Sequence, residues 1–233
     1  MDLFAQPLNL GHGAQFVPRR VNGVMLRLVF FDETKCQLRV LSNPDRNSEK
    51  QLDDWGREQK ALAVCNGGYF EVGKRLPSGL EVAGGVRSGA FLNRGEFGGS
   101  LVVKDGKAAL VWDTEFQDDP KITEMVQCSP WLVSDGKPWT PLPLDKPEPK
   151  NARTFILTDG AGKWAIGTAQ NVGLVELARL LTTPGAIPEL QVKRALNLDG
   201  GPSTGLWFKT EDGREDYGKP AWVVRNGIAV VPR

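Results

Sequence analysis

The pattern of hydrophobic and polar positions predicts a chain rich in β-strands. Side chains alternate along residues 24–31 as in a long strand, and residues 38–41 form a shorter strand that we expect to be its hairpin partner. Asp-Gly and Asn-Gly pairs between such runs are typical of hairpin turns. Four pairs have this form: Asp105-Gly106, Asp135-Gly136, Asp159-Gly160 and Asn226-Gly227. Further strands are predicted at residues 63–66, 101–104, 108–112, 154–158, 164–168, 196–198 and 221–224.

Only two segments have helical signals. Ser48 followed three residues later by Gln51 has the form of a capping box, which predicts a helix to about Lys60. Asn171 is placed to cap the second helix, and residues 182–185 contain the Pro-Gly that ends it. Its predicted apolar face consists of Leu174, Leu177, Ala178 and Leu181.

These elements indicate the α+β class: one β-rich domain of mostly antiparallel hairpins with few helices and a surface active-site cavity. Helices do not alternate with strands, so a doubly wound nucleotide-binding fold is disfavoured. The length of 233 residues suits one domain over 1–233. We expect residues 1–20 to form an N-terminal extension and the Pro-rich residues 138–150 a surface loop, with a hinge between two lobes there as the alternative.

Charge and composition narrow the function classes. The formal net charge is +1, which provides no broad basic surface for nucleic acid. No apolar run is long enough to span a bilayer. The first residues do not resemble an export signal, so we expect either a cytoplasmic protein or an exported one whose signal is missing from this sequence.

The cysteines and the histidine limit the possible chemistry. A bridge between Cys36 and Cys65 is conceivable, and three buried thiols that include Cys128 are an equal alternative. His12 is the only histidine, which argues against a zinc site and a serine–histidine triad. We therefore expect neither a metal nor another cofactor.

Two diglycine turns follow apolar strands. Asn66-Gly67-Gly68 could bring backbone N–H groups and an amide close to an anionic ligand, although such a segment alone is more often a plain turn. In the segment 195–204, Asp199 stands where the strand ends, before Gly200-Gly201 and Ser203. A carboxylate held there suits a general base or a nucleophile, and a turn-capping aspartate is the alternative.

Charged residues near these turns complete the candidate set. Arg153 opens a strand that otherwise appears buried, so it needs an anionic partner, either a phosphate or a structural carboxylate. Arg87 lies in a glycine-rich run, and Glu71 and Glu81 flank the end of the first diglycine segment. Each of these three could equally be solvated.

Taken in order, the segments resemble the phosphodiester glycosidase family from about Val24 to Val231. The matching segments are Asn66-Gly67-Gly68-Tyr69-Phe70, residues 127–133 before Asp135-Gly136, Arg153-Thr154, residues 197–203, and residues 226–230. Tyr69 and Pro202 depart from the phenylalanine and the small residue that are usual in the family. The resemblance implies a hydrolase that cleaves a sugar-1-phosphodiester, such as one of N-acetylglucosamine. Because relatives are commonly exported, the resemblance also favours a periplasmic or extracellular protein over a cytoplasmic one.

The resemblance also implies roles for single residues. Asn66, Gly67, Gly68, Arg153, Asp199, Gly200 and Ser203 fall on its motif positions. We expect Asp199, Arg153, Asn66 and Glu71 to be catalytic. We expect the substrate-binding residues to be Gly67, Gly68, Arg87, Gly200, Gly201, Ser203 and Tyr69. A sugar-phosphodiester or phosphoglycan is the expected partner, and the alternatives are a non-catalytic carbohydrate-binding module or a scaffold of a cell envelope or phage tail.

Overall fold

The computed structural model describes residues 6–45, 47–139 and 148–233. The strands in chain order are β1 Leu8–Gly11, β2 Ala14–Val21, β3 Val24–Asp32, β4 Cys36–Ser42, β5 Ala63–Asn66, β6 Phe70–Glu71, β7 Leu76–Pro77, β8 Glu81–Ala83, β9 Val86–Ser88, β10 Gly99–Lys104, β11 Lys107–Trp112, β12 Ile122–Cys128, β13 Trp131–Ser134, β14 Lys137–Pro138, β15 Asn151–Thr158, β16 Lys163–Val172, β17 Arg194–Asn197, β18 Leu206–Lys209, β19 Glu215–Gly218 and β20 Asn226–Pro232. The α-helices are α1 Leu52–Glu58 and α2 Leu174–Thr182, and the 3₁₀ helices are Gly95–Phe97 and Gly201–Ser203.

Three antiparallel sheets form the single domain. The largest has eight strands in the order β1-β2-β3-β16-β15-β17-β13-β14. Two five-stranded sheets have the orders β11-β10-β12-β8-β9 and β19-β18-β5-β20-β4, and β6 and β7 form a separate two-stranded ribbon. The predicted β-rich α+β class with few helices is therefore confirmed.

Strand alternation explains how the sheets pack. On β5, Ala63 and Cys65 join a central core that takes residues from all three sheets, whereas Val64 points the other way. The opposite face of β5 packs on α1 through Trp55, and the outer face of the eight-stranded sheet packs on α2. A strand that is apolar on both faces thus lies between the central core and an outer helix layer.

Both predicted helices exist, but their caps differ from the prediction. The first helix is capped at Gln51, whose backbone N–H donates to the Asp54 carboxylate at 2.8 Å, instead of at Ser48. A carboxylate in the first turn is favoured by the positive end of the helix dipole. At the second helix, the Glu148 carboxylate accepts from the Val175 N–H at 2.9 Å, and Asn171 lies outside the helix with φ of +52°.

The predicted hairpin between β3 and β4 is wrong. β3 pairs with β2 and β16, and β4 pairs with β20 in a different sheet. Asn22-Gly23, with φ of +47° and +86°, forms the tight turn that makes β2 the hairpin partner of β3. With both edges of β3 occupied, the chain crosses to the next sheet.

Other turn predictions have mixed outcomes. The hairpins at Asp105-Gly106, Asp135-Gly136 and Asp159-Gly160 are confirmed. Asn226-Gly227 instead begins strand β20, where a Cβ on residue 227 would lie 3.0 Å from the Cys65 carbonyl oxygen. Residues 221–224 are not a strand, because the Ala221 N–H donates to the Pro202 carbonyl and not to a ladder.

The chain ends and loops also require corrections. Of the expected extension 1–20, residues 8–11 and 14–20 lie in strands of the eight-stranded sheet, because they carry a buried face that includes Leu10 and Phe16. In the expected loop 138–150, Pro138 ends strand β14, and residues 140–147 lie outside the described residues. The three cysteines are buried free thiols, so the conceivable Cys36–Cys65 bridge is not formed.

Candidate active site

The two diglycine turns, 133 residues apart, meet directly. The Asn66 Nδ2 donates to the backbone carbonyl of Asp199 at 2.7 Å, and the Asp199 N–H donates to the Gly67 carbonyl at 2.9 Å. Asn66 ends β5 in one sheet, and Asp199 follows β17 in another. The candidate site therefore lies where two sheets are joined by their strand ends.

Asn66 is a support of this junction. Its side chain is buried, and its Oδ1 accepts hydrogen bonds from the Thr154 hydroxyl at 2.7 Å and from the Gly205 N–H at 3.1 Å. Together with the bond to Asp199, three elements depend on one amide. This geometry assigns Asn66 to positioning the turn, whereas the sequence suggested that it contacts the ligand.

The N–H groups of the first diglycine are already used inside the protein. The Gly67 N–H donates to the Asn226 carbonyl at 3.0 Å, and the Gly68 N–H donates to the Asn226 Oδ1 at 2.6 Å. A Cβ would lie 2.2 Å from that Oδ1 at residue 67 and 2.7 Å from a Val126 methyl at residue 68. Glycine is needed here for close packing, and these N–H groups are not free to bind an anion.

The second diglycine borders open space. Gly201 has φ of +57°, and a Cβ built on it meets nothing within 4 Å. Gly200 approaches the start of β15 closely, since a Cβ there would lie 2.8 Å from the Ala152 carbonyl oxygen. The turn after Asp199 is thus held against β15 on one side and open on the other.

The Asp199 carboxyl is mostly buried, and this burial raises its pKa above the ordinary value. Hydrogen bonds from the buried Ser203 hydroxyl and from the Gly200 N–H, the latter at 2.8 Å, act in the opposite direction. A carboxyl with a raised pKa and fixed donors is suited to accepting a proton near neutral pH.

Arg153 lies beside this turn. Its Nε donates to the Val172 carbonyl at 3.2 Å and one Nη donates to the Pro149 carbonyl at 3.0 Å. Partial burial lowers its pKa. No carboxylate of the described ranges lies within 4 Å of the Arg153 guanidinium to form an ion pair. A half-buried guanidinium that is anchored by carbonyls keeps its charge available to an anionic ligand.

Tyr69 joins the same region from the β5 side. Its hydroxyl donates to the Ser129 carbonyl at 2.7 Å and accepts from the Asn197 Nδ2 at 2.9 Å. Burial is the main cause of its raised pKa. The Asp199 charge raises this pKa further, and the Arg153 charge lowers it. Tyr69 thus lies within electrostatic range of both charged candidates and is fixed by two polar partners.

Two predicted residues lie apart from this cluster. Glu71 is exposed and forms an ion pair with Lys74 at 2.9 Å. Arg87 on β9 forms an ion pair with Asp118 at 2.9 Å and donates to the Asp119 carbonyl. Neither has a hydrogen bond to the two diglycine turns among the described residues.

Sequence reasoning missed the residues behind the first diglycine. The Asn226 Nδ2 donates to Glu81 at 2.6 Å, and Arg225 forms two hydrogen bonds with the same carboxylate in an ion pair that is almost completely buried. Residues 226–230 are among the segments that resemble the family, but an Asn-Gly pair predicts a turn and hides the role of the Asn226 side chain. Glu81 has no sequence signal beyond its position after the first diglycine.

A groove of about 910 Å³ lies between β4 and the β8–β9 hairpin. Its lining includes Glu81, Arg87 and Arg225, but not the residues of either diglycine turn. The candidate site is therefore the junction at Asp199, and the groove lies next to the ion pair that supports it.

Within the described ranges, no group of three His, Cys, Asp or Glu side chains could hold a metal ion. The helices of those ranges are all too short or too polar to cross a membrane.

The fold resembles solved structures of low sequence identity. The catalytic domain of zebrafish N-acetylglucosamine-1-phosphodiester alpha-N-acetylglucosaminidase, auto-inhibited by its pro-peptide, is 14% identical with a TM-score of 0.67, over 98% of this chain and 87% of that one. A hypothetical protein from Synechocystis is 16% identical with a TM-score of 0.62, over 94% of this chain and 62% of that one.

No curated protein matches the chain in sequence. The family model of phosphodiester glycosidases matches residues 59–231, which include both diglycine turns, Arg153 and Asn226. This match covers well over half of the chain, and we conclude that the chain belongs to the phosphodiester glycosidase family.

Proposed function

We propose that this protein hydrolyses the bond between the anomeric carbon of a sugar and a phosphodiester, with Asp199 and Arg153 as its catalytic residues. The observation that carries the proposal is the pairing of unlike groups at one turn. The Asp199 carboxyl has a raised pKa, and the Arg153 side chain lies against the next residue of the turn, since a Cβ on Gly200 would lie 3.8 Å from the Arg153 Cδ. Arg153 has no ion pair with a carboxylate of the described residues. The first group suits proton transfer, and the second suits a phosphate.

The chemistry needs little more than these two groups. The bond from the anomeric carbon to the phosphate oxygen breaks, and the phosphate leaves as a monoester. Because a phosphate is a good leaving group, it requires less protonation than a sugar alkoxide, and one carboxylate can suffice where glycosidases ordinarily use two. Arg153 offsets the charge that develops on the departing oxygen.

Asp199 accepts the proton of the attacking water. The water oxygen becomes the new hydroxyl on the anomeric carbon, and the proton passes through the carboxylate to the solvent. Hydrogen bonds from Ser203 and from the Gly200 N–H constrain the orientation of this carboxylate. Tyr69 and Asn66 then act as positioning residues that fix the surrounding backbone.

The choice of a first substrate rests on a relative. The zebrafish enzyme is named for its action on an N-acetylglucosamine-1-phosphodiester. We therefore propose that compound class as the first to test, and the group beyond the phosphate is left to be varied in the same assay.

The test compares wild type with Asp199→Asn on an N-acetylglucosamine-1-phosphodiester, by measuring release of free sugar. The variant keeps the shape of the side chain and removes its charge, so we expect kcat to fall at least ~100-fold, the scale of a lost acid or base. Asp105→Asn is the matched control, since Asp105 is an exposed aspartate before a glycine in a hairpin turn.

Four outcomes separate the alternatives. Loss of activity in Asp199→Asn alone supports the hydrolase. Equal activity in both variants would remove Asp199 from the chemistry. If wild type binds the compound in calorimetry and releases no sugar, the chain is a carbohydrate-binding module, and if it neither binds nor cleaves, the sugar-phosphodiester proposal fails.

A further inference from the structure

Trp222 is unusual among the tryptophans of this protein. Seven are present, all in the described part of the chain, and six of them are buried or pack against the apolar core. Trp222 alone is exposed, at 47% of its surface. An indole left in water costs free energy that a binding partner would recover, and single exposed aromatic side chains at a site are frequent ligand contacts.

The backbone at Trp222 is fixed to the turn that carries Asp199. The N–H groups of Ala221 and Trp222 donate to the Pro202 carbonyl at 2.8 Å and 3.1 Å. The following residues are equally fixed, because Arg225 and Asn226 bond to the buried Glu81 carboxylate. Trp222 is thus an exposed aromatic on a loop that is anchored at both ends.

The anchoring gives the turn a linear order of chemical groups. Gly200 lies against the start of β15 beside Arg153, Asp199 precedes it, and Pro202 leads on to Trp222. Between them, Gly201 has open space where a side chain would be. Arg153 at Gly200 and the Trp222 backbone at Pro202 therefore flank Gly201, the open position of the turn, and Asp199 comes immediately before Gly200.

We infer that Trp222 is the platform on which the sugar ring of the substrate stacks. The inference rests on the proposed function. If the phosphate binds Arg153 beside Gly200 and the anomeric carbon faces Asp199, the sugar ring occupies the open space at Gly201, next to Pro202 and Trp222. The apolar C–H face of a pyranose packs on an indole, while its hydroxyls remain available to water and to polar groups.

The consequence is a subsite for the sugar that is separate from the phosphate subsite. Loss of an aromatic contact of this kind weakens binding by about tenfold. The effect is expected for a ligand that contains a sugar ring and not for inorganic phosphate, which contacts only the Arg153 end.

The experiment titrates wild type, Trp222→Ala, Trp222→Phe and Val86→Ala with N-acetylglucosamine 1-phosphate, glucose 1-phosphate and inorganic phosphate, by calorimetry. Val86 is the control because it is exposed and apolar, on the β8–β9 hairpin. Urea unfolding of each variant checks that the fold is intact.

We expect Trp222→Ala to weaken sugar phosphate binding about tenfold. Trp222→Phe should recover most of the affinity, and phosphate binding should be unchanged in all variants. Equal affinity of wild type and Trp222→Ala for both sugar phosphates would overturn the inference, and so would a matching loss for inorganic phosphate. Absence of sugar phosphate binding by wild type overturns it as well.

Failure of the hydrolase proposal can be distinguished from failure of the platform. Wild type that binds a sugar phosphate through Trp222 and cleaves no phosphodiester would keep the platform and remove the catalytic role of Asp199. Conversely, cleavage with kcat and KM unaffected by Trp222→Ala would keep the hydrolase and remove the platform.

Discussion

Gly67→Ala should strongly destabilise the protein because of a clash with one neighbour, Asn226. Gly67 has no positive φ, so the backbone itself accepts alanine. The added Cβ would lie 2.2 Å from the Asn226 Oδ1, whereas its distance to the Asn226 backbone carbon is an ordinary 3.5 Å. The Asn226 side chain must therefore move.

The magnitude follows from what this movement breaks. Overpacking a rigid site costs about 1–3 kcal/mol. The Asn226 Oδ1 is the partner of the Gly68 N–H at 2.6 Å, and a buried N–H without a partner costs about 1–3 kcal/mol. We expect Gly67→Ala to lower the free energy of unfolding by about 2–5 kcal/mol.

A double-mutant cycle tests the mechanism. Asn226→Ala alone loses both hydrogen bonds of the amide, which should cost about 3–5 kcal/mol. With that side chain removed, the clash no longer exists, and Gly67→Ala should cost under about 1 kcal/mol more. The double variant should therefore be at least ~1 kcal/mol more stable than the sum of the single effects predicts.

The assay is urea unfolding monitored by tryptophan fluorescence. An unchanged slope m among the variants checks that unfolding remains two-state. Gly73→Ala is the matched control, since its Cβ meets nothing within 4 Å and its φ is not positive, so it should be neutral or slightly stabilising. Effects of Gly67→Ala and Asn226→Ala that add within ~0.5 kcal/mol would refute the reasoning.

Two further predictions concern charge. Because the pKa of Asp199 is raised in the folded state, folded protein holds that proton more tightly than unfolded protein, and stability falls as pH rises from the ordinary aspartate value through the raised one. Across this pH window, Asp199→Asn should become progressively more stable than wild type, and it should keep this advantage at pH 7. Thermal melts from pH 3 to 7 measure it, and a stability difference between the two proteins that does not change with pH would contradict the prediction. Glu81→Gln should cost about 3–5 kcal/mol in urea unfolding, because it leaves the Arg225 guanidinium buried without its counter-ion. Glu58→Gln, in the exposed pair with Lys50, should cost under about 1 kcal/mol, and equal losses would refute the burial argument.

The sequence predicted local features well where the signal was local. Three Asp-Gly pairs lie in the expected hairpins, and the glycine of each pair has the left-handed conformation, with φ of +71° to +75°, that such a turn requires. A capping-box pattern indicated the first helix and an apolar face the second, yet at the second helix Glu148 provides a cap from 26 residues before its start. A cap supplied from a distance leaves no local pattern.

Sheet partners were harder to predict than strands. β3 and β4 are adjacent in sequence and lie in different sheets, because Asn22-Gly23 and β16 supply the neighbours of β3. Alternation determines which faces are buried but not which strand lies alongside. Asn226-Gly227 shows the converse error, since its glycine serves close packing on Cys65 and Trp55.

The candidate site shows the same division. The order of motifs indicated the family, and its two diglycine segments do contact each other. The sequence could not show that they differ in kind. In the first, both N–H groups are bound to Asn226, and in the second, Gly201 faces open space. The hydrogen-bond partner of a backbone group depends on the tertiary structure, so two identical residue pairs give no sign of the difference.

This division has a consequence for how the site can be altered. Asn66 and Asn226 hold strand ends from different sheets with single amides, so their loss lowers stability together with any activity. Asp199 carries the opposite relation, because its buried charge costs stability in the folded protein. A residue that lowers the stability of the folded protein, surrounded by residues that raise it, is expected at a site where stability is given up for chemistry. The pair of measurements on Asp199→Asn, one of stability and one of turnover, therefore tests the same charge from two sides.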